Sequence, residues 1–207
     1  MDYKKHWNTV YDTKADEQLG WYEDNPKPTL ELIEKCKLDS DSKILCVGAG
    51  TTRLIDALLD RNYQNLIAND LSEIALTHLQ QRIKSKYNYL LECIADDLTK
   101  PEHLSQLRNI ELWIDRAVLH FFLEKEDIKS YFDLIRTVVS TKGYVLIATF
   151  ALDGAEKCSG LPLRRYNAEM LQTELGSDFN LIESFNFTFI NPSGGERPYI
   201  YTLFQKI

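Results

Sequence analysis

The stretch that decides the fold is "KILCVGAGTTRLIDALL", residues 43–59. Its apolar start, residues 43–47, is typical of a buried strand, and about residues 52–61 repeat apolar side chains with helical spacing. Between them stand Gly48 and Gly50, which allow a tight turn and the close approach of a ligand to the backbone. Amide groups at the start of the following helix favour polar or anionic ligand groups. The stretch therefore predicts a nucleotide-binding loop.

Composition and charge restrict the class of protein. The chain has 207 residues, of which 44% are apolar and 27% charged, as expected for one globular domain over residues 1–207. The apolar run at 144–152 is too short for a membrane span, and the first residues lack the apolar region of a secretory signal. A net charge of −7 argues against a nucleic-acid partner. We expect a cytoplasmic protein without a membrane partner.

The four cysteines have no metal-ligand spacing. Cys36, Cys46, Cys93 and Cys158 form no CxxC pair, so we expect reduced thiols and no metal site.

Strand and helix patterns alternate along the chain. The strand patterns cover residues 43–47, 64–70, 87–97, 110–115, 143–151, 179–190 and 198–206. The helix patterns cover residues 3–12, a segment starting near Pro28, residues 52–61, a segment capped by Ser72, residues 125–140 and residues 167–175.

This order predicts an α/β fold with a single, doubly wound, mostly parallel seven-stranded sheet. Alternating strands and helices place helices on both faces of a parallel sheet. The last two strands are joined by the turn-rich segment 191–197, so they form a C-terminal antiparallel hairpin.

An acid at the second strand end supports a nucleotide. Asp70 lies 22 residues after Gly48, where a carboxylate can accept hydrogen bonds from ribose hydroxyls. A nicotinamide-binding loop requires a third glycine where Arg53 stands. An S-adenosylmethionine-binding loop tends to have glycine where Thr52 stands and an acid at Cys46. The terminal hairpin favours S-adenosylmethionine and leaves a nicotinamide-binding protein as an alternative.

Two further strand ends carry polar residues. Asp97 follows the third predicted strand, where it can accept a hydrogen bond from an adenine amino group. Asp115 and Arg116 follow the fourth, facing the crevice in which open α/β sheets bind ligands. Each acid could instead cap a helix or carry a solvated charge.

The sequence resembles the class I, seven-stranded S-adenosylmethionine-dependent methyltransferases, which have a Rossmann-like fold. The resemblance rests on the hairpin and on "ILCVGAGTTRL", "ANDLS", "IADDLT" and "LWIDRAVLHFF". Within this superfamily, "HWNTVY", "GWY" and "IDRAVL" are similar to the thiopurine-type methyltransferases. A second similarity is to small lysine methyltransferases.

The resemblance implies roles for residues of the predicted crevice. The cofactor would be S-adenosyl-L-methionine, with its methionine part against Gly48, Ala49 and Gly50. Asp70 would bind ribose, Leu71 and Asp97 would flank adenine, and Asp115 would lie near the cofactor amino group. Arg116 would reach the cofactor or the substrate.

Aromatic residues near the N-terminus are candidates for the cationic sulfonium and for the substrate. Trp7 and Tyr11 lie four residues apart and can share a helix face toward the cofactor. Trp21 and Tyr22 could line the substrate entrance. We expect residues 1–27 to form a lid; alternatively, these rings pack the helix onto the sheet.

The remaining candidates concern the methyl acceptor. His120, five residues after Asp115, is the best-placed general base, although it could also be a buried structural histidine. Arg164 and Arg165 lie in a long loop at the ligand edge, where they could bind an anionic substrate or pair with nearby acids.

We therefore expect a methyltransferase for a small molecule bearing a thiol, an amine or a carboxylate. The alternatives are a protein lysine methyltransferase and a non-catalytic binding module with the same fold.

Overall fold

A computed structural model describes residues 2–207. The N-terminal part consists of α1 (Tyr3–Thr13), a short 3-10 turn (Asp16–Gln18) and α2 (Lys27–Lys35). The Asp2 carboxylate caps α1 by accepting the amide hydrogen of Lys5, and a proline occupies the first turn of α2. Both helices agree with the sequence prediction.

The central part alternates strands and helices as predicted. In chain order these elements are β1 (Lys43–Val47), α3 (Leu54–Leu59), β2 (Asn65–Asp70), α4 (Glu73–Tyr87), β3 (Glu92–Ala95), β4 (Ile110–Arg116), α5 (Lys125–Val138) and β5 (Val139–Phe150). The C-terminal part contains β6 (Lys157–Cys158), β7 (Leu161–Pro162), α6 (Ala168–Leu175), β8 (Phe179–Ile190) and β9 (Glu196–Lys206).

Seven strands form one sheet in the order β3-β2-β1-β4-β5-β9-β8. The pairs β3–β2, β2–β1, β1–β4 and β4–β5 are parallel, whereas β5–β9 and β9–β8 are antiparallel. The predicted fold class is therefore confirmed, including the C-terminal hairpin. The strand order reverses at β1 and β4, which is where open α/β sheets bind ligands beyond the carboxyl ends of their strands.

Both faces of the sheet are covered, which explains the apolar character of β1. Ile44 and Cys46 point into the core under α2, α3 and α4, while Leu45 and Val47 point into the core under α5 and α6. A strand that is buried on both faces reads as a continuous apolar run. This arrangement fixes the position of the glycine loop that follows β1.

The differences from the prediction are local. β3 is shorter than predicted because Asn88 ends α4 in the left-handed conformation, at φ 52°, and the strand begins only at Glu92. α3 begins at Leu54, since the Thr52 hydroxyl accepts the Leu54 amide hydrogen at 3.1 Å. The segment predicted as a loop after β5 contains the small hairpin β6–β7.

None of the helices within residues 2–207 has the length and apolar character to cross a membrane. The same residues contain no group of three or more His, Cys, Asp or Glu side chains arranged to hold a metal ion.

Candidate functional site

The loop after β1 requires glycine at two positions. Gly48 and Gly50 have φ values of +54° and +51°, a region that residues with a Cβ rarely adopt. A Cβ at Gly48 would overlap the Val118 side chain, and a Cβ at Gly50 would overlap the Tyr11 hydroxyl. The loop is thus closely covered by residues from the β4–α5 connection and from α1.

Arg82 holds the part of this loop that lacks a third glycine. Its guanidinium donates to the carbonyl oxygens of Thr51 and Thr52 at 2.9 and 2.5 Å, and to an Asp56 carboxylate oxygen at 2.8 Å. These bonds connect α4 with the loop and with α3. The loop conformation is therefore fixed from outside by an arginine that the sequence analysis did not select.

Asp70 at the end of β2 is tied to the same loop. Its Oδ2 accepts the Gly50 amide hydrogen at 2.7 Å, and its Oδ1 accepts the Ser72 amide hydrogen at 2.8 Å. Burial raises the pKa of this carboxyl to about 6, against the opposing effect of the hydrogen bonds. Since each carboxylate oxygen has two lone pairs, both can accept a further hydrogen bond from a ligand.

A cavity of about 270 Å³ opens at this edge of the sheet. Its walls contain the predicted site residues Trp7, Tyr11, Trp21, Gly48, Asp70, Leu71, Asp97, Arg116 and His120. Residues that were not predicted, among them Asn69, Val118, Phe121 and Cys158, complete the walls. The structure thus brings together most of the side chains expected to bind the cofactor.

A second, smaller cavity of about 50 Å³ adjoins the first. It is lined by Tyr22 and Ala49, and it shares Trp21, Gly48 and Arg116 with the larger cavity. Of the predicted loop residues, Gly48 and Ala49 therefore line a cavity. Gly50 lies next to Tyr11, whose side chain lines the larger cavity.

Helix α1 covers the larger cavity. Trp7 makes edge contacts with Trp21 and Phe121, with ring centroids 5.5 and 5.2 Å apart. The His6 ring lies 3.4 Å from the Ser159 hydroxyl in the β6–β7 turn. Tyr11 is buried against the glycine loop. Side chains of α1 therefore form part of the wall of the larger cavity, and whether residues 1–27 act as a lid stays a prediction.

Asp97 combines a local structural bond with a place in the cavity wall. Its Oδ1 accepts hydrogen bonds from the amide and the hydroxyl of Thr99, each at 2.8 Å. The neighbouring Asp96 caps the next turn by accepting amide hydrogens of residues 102–104. This position is compatible with both interpretations of Asp97 from the sequence: an acid that caps a turn, and an acid that faces a ligand.

Asp115 does not reach the cavity. Its carboxylate is fully buried and accepts the amide hydrogens of Val118 and Leu119 and the hydroxyl hydrogen of Tyr131, at 2.8, 3.0 and 2.7 Å. Burial raises its pKa to about 6. In this structure Asp115 shapes the turn after β4, and it lies outside both cavity walls.

Arg164 and Arg165 also lie outside both cavities. Arg164 is 3.7 Å from Glu174 and lies over the Tyr166 ring, while Arg165 is 3.5 Å from Glu156. Both arginines therefore have acidic neighbours, as in the alternative reading of this loop, and the structure does not bring them to the site.

His120 is fully buried in the wall of the larger cavity. Its Nδ1 lies 3.3 Å from the Thr149 hydroxyl, and its Nε2 has no hydrogen-bond partner among residues 2–207. Burial, and then the positive charge of Arg116, lower its pKa to about 3. The imidazole is consequently neutral at physiological pH.

Arg116 and Ala117 form the cavity wall after β4. The Arg116 guanidinium donates to the Trp21 carbonyl oxygen at 3.0 Å, and its Nε lies 2.8 Å from a Glu23 carboxylate oxygen. Ala117 has φ +76°, and its amide donates to the Ala148 carbonyl oxygen at 2.8 Å. Glu23 was missed by the sequence analysis, although it directly follows the selected Trp21 and Tyr22.

No family model matches this chain, and a search of curated proteins finds no relative. Solved structures do match it. An S-adenosylmethionine-dependent methyltransferase from Anabaena variabilis has a TM-score of 0.77 at 13% identity, over 99% of this chain and 93% of that chain.

Two further matches are to structures with a bound ligand. The Burkholderia thailandensis 1,6-didemethyltoxoflavin-N1-methyltransferase, with 1,6-didemethyltoxoflavin and S-adenosylhomocysteine, has a TM-score of 0.70 at 15% identity, over 99% and 85% of the two chains. The N-methyltransferase NodS from Bradyrhizobium japonicum, with S-adenosylhomocysteine, has a TM-score of 0.69 at 14% identity, over 97% and 98%. The chain therefore has the fold of the class I S-adenosylmethionine-dependent methyltransferases.

Proposed function

We propose that this protein is an S-adenosylmethionine-dependent methyltransferase that acts on a small molecule. The observation that carries the proposal is the bond between Asp70 and the Gly50 amide at the wall of a cavity of about 270 Å³. It places a carboxylate beside a loop in which neither glycine has room for a side chain. A ribose hydroxyl pair and a closely approaching ligand fit these two features.

The residues present fit the proposed cofactor. Gly48, Ala49 and Gly50 would contact its methionine part, Asp70 would accept hydrogen bonds from the ribose, and Leu71 and Asp97 would flank the adenine. When bound, S-adenosylmethionine supplies a methyl group on a positively charged sulfur. Two of the structures that share this fold hold S-adenosylhomocysteine, the demethylated form of this cofactor.

The aromatic side chains of α1 and the segment after it support the binding of a cation. Trp7, Tyr11 and Trp21 line the cavity, and aromatic faces attract positive charge. As a cover over the cavity, residues 2–27 would also exclude water from the reacting groups and align the acceptor. A covered cavity suits a small acceptor better than a side chain that belongs to a folded protein.

His120 restricts the type of acceptor in this proposal. With a pKa near 3, the imidazole is uncharged at neutral pH and is a weak base. It can form a hydrogen bond to the acceptor through the unpartnered Nε2. An acceptor that needs little help from a base, such as a thiol or an already neutral amine, therefore agrees best with this site.

The finer assignment to the thiopurine-type group is part of the proposal. It is supported by the paired aromatic residues of "HWNTVY" and by "IDRAVL", whose arginine contributes to the cavity wall.

Calorimetry with S-adenosylhomocysteine and with NAD tests the cofactor. We expect saturable binding of S-adenosylhomocysteine and none of NAD; the reverse result would contradict the proposal and favour a nicotinamide-binding protein. Transfer of tritiated methyl groups into a cell extract then tests the acceptor. Label in the small-molecule fraction supports the proposal, label in protein favours lysine methylation, and binding without transfer favours a non-catalytic module.

A further inference from the structure

Strand β8 lies at one end of the sheet and has a free edge. It pairs with β9 on one side, and no strand within residues 2–207 pairs with its other side. A free edge presents backbone N–H and C=O groups to any strand that can reach them, and proteins often protect it with lysine or proline. β8 contains neither residue type. A register shift near Ile182 limits its regular edge to residues 183–190.

The hydrogen bonds of the terminal hairpin show which backbone groups face this free edge. The Asn191 amide donates to the Gly195 carbonyl oxygen at 3.0 Å, so the backbone groups of Asn191 point toward the β9 side. This direction alternates along an antiparallel strand. The groups of odd-numbered residues in 183–191 therefore point at β9, and those of even-numbered residues in 184–190 point at the free edge.

The side chains of β8 alternate between the two faces of the sheet. Phe185, Phe187 and Phe189 face the core under α2, and the first two are only half-buried. All three line a groove of about 640 Å³ between β8 and residues 17–31. The free edge of β8 thus combines unpaired backbone groups with apolar rings that a further strand could cover.

We propose that β8 pairs with β8 of a second copy of this chain, antiparallel and about a twofold axis at Asn186. Asn186 then lies opposite its own counterpart, and Ser184 lies opposite Thr188 of the second copy. Each of these residues uses both backbone groups that face the free edge. The two sheets join into one continuous sheet, which is the geometry of strand addition.

The sequence of β8 is self-complementary in this register. Phe185 lies opposite Phe187 of the second copy, so half-buried rings of both copies meet beside the axis. Ile182 and Ile190, which are 49% and 54% exposed, come next to one another. Aromatic and β-branched pairs across antiparallel strands are favourable. An axis at Phe187 would instead place Ile190 opposite Ser184, which pairs an apolar with a polar side chain.

The charges near this edge also permit the pairing. Glu183 is the charged residue of β8, and it pairs with Lys35 of α2. In the proposed register Glu183 lies opposite Phe189 of the second copy, whose own neighbour on β9 is Arg197. The Arg197 guanidinium lies 3.4 Å from the Glu196 carbonyl oxygen and pairs with no carboxylate in the described part of the chain. The dimer therefore brings this cation toward the acid of the other copy and places no like charges opposite each other.

Charge substitutions at the axis test the inference through the mass of the protein in solution, measured by light scattering and by sedimentation. We expect the wild type to have the mass of two chains and to dissociate on dilution. Asn186→Lys and Asn186→Glu each place two like charges opposite one another, so each should weaken the dimer by roughly tenfold or more. An equal mixture of the two variants should recover the two-chain mass, because only the mixed dimer has opposite charges at the axis.

The matched control is Asn180→Lys, the same change at an exposed position of β8 beyond the register shift. It should leave the two-chain mass unchanged. Asn186→Pro provides a second route to the monomer, since it removes an amide that faces the free edge and makes no bond to β9. Circular dichroism shows whether each variant is folded.

A wild type that stays monomeric at its highest soluble concentration would overturn the inference. A dimer that persists in the folded Asn186→Pro, Asn186→Lys and Asn186→Glu variants would also overturn it. A mixture of the two charge variants that stays monomeric would exclude an axis at Asn186. None of these measurements depends on cofactor binding or methyl transfer, so their outcome is independent of the proposed function.

Discussion

The carboxylate of Asp70 and the amide of Gly50 are joined by a hydrogen bond of 2.7 Å between the end of β2 and the loop after β1. This bond crosses between neighbouring parallel strands at the edge where the larger cavity opens. It ties the two elements with which the proposed cofactor would interact most closely. The protonation state of Asp70 should therefore affect both the stability of the protein and its ligand binding.

Asp70→Asn should change how stability depends on pH. The folded-state pKa of about 6 is above the usual 3.8, so the wild-type protein binds this proton more tightly than the unfolded chain does. Its contribution to stability is complete below about pH 4 and is lost as the pH rises through about 6. The wild type should lose about 3 kcal/mol relative to Asp70→Asn over this range.

Urea unfolding of both proteins between about pH 4 and pH 7 measures this difference. Asp115, whose pKa is also near 6, is present in both proteins, so its contribution to the pH dependence of stability cancels in the comparison. A difference in unfolding free energy that does not vary with pH would contradict the prediction. S-adenosylhomocysteine affinity should also be lower in the variant by about tenfold or more, since a neutral amide is a weaker acceptor.

Gly50→Ala should impair ligand binding more than Gly160→Ala does. Both glycines have positive φ, so both substitutions carry a backbone cost of about 1–2 kcal/mol. Gly160 has open space around a new Cβ, whereas Gly50 faces the Tyr11 hydroxyl. Only Gly50→Ala should therefore displace α1, which would lower thermal stability further and weaken S-adenosylhomocysteine binding.

Removing the Tyr11 hydroxyl tests the same contact between α1 and the glycine loop from the other side. Tyr11→Phe combined with Gly50→Ala should recover part of the lost affinity, because the overlapping atom is gone. If Gly50→Ala and Gly160→Ala have equal effects on stability and leave binding intact, the contact between α1 and the loop is unimportant.

Arg82→Lys should loosen the glycine loop. An ammonium group cannot reproduce the planar arrangement that bonds Thr51, Thr52 and Asp56 together. We expect a loss of about 1–3 kcal/mol in unfolding free energy and weaker S-adenosylhomocysteine binding. Arg108→Lys, at an exposed position with bonds to its own turn, is the control and should change neither quantity. Unchanged affinity in Arg82→Lys would show that the loop keeps its conformation unaided.

Trp7→Ala should open the N-terminal segment. The substitution removes the ring contacts with Trp21 and Phe121, each worth about 0.5–1.5 kcal/mol. Limited trypsin digestion should then cleave α1 faster at Lys4 and Lys5, and saturating S-adenosylhomocysteine should protect the wild type more than the variant. Equal cleavage rates with and without ligand would contradict the role of this segment as a lid.

The features that the sequence predicted correctly depend on local rules. A sharp turn between a strand and a helix favours glycine where φ is positive, as at Gly48 and Gly50. Periodic apolar residues identify the elements on each side. The hairpin followed from two apolar strands around a turn-rich segment. These signals are contained within a few residues of one another, so no knowledge of the tertiary structure was needed.

The features that the sequence could not predict depend on distant partners. An acid at a strand end can line the cavity, as Asp70 does, or accept hydrogen bonds from nearby amides and from Tyr131 inside the fold, as Asp115 does. The ion pair between Arg164 and Glu174 and the contact of Glu23 with Arg116 each join different elements. Asp70 and Asp115 are the same residue type at or next to the end of a strand, so only the packing around each carboxylate distinguishes them.

The backbone at Ala117 stores conformational strain in the wall of the larger cavity. A φ of +76° suits glycine, and an alanine held there costs roughly 1–2 kcal/mol that the surrounding fold must offset. Ala117 lines the larger cavity and also packs against the core beside it. Ala117→Gly, unlike most substitutions by glycine, should therefore raise the melting temperature, so the wall of the larger cavity contains a position at which folding stability has been given up.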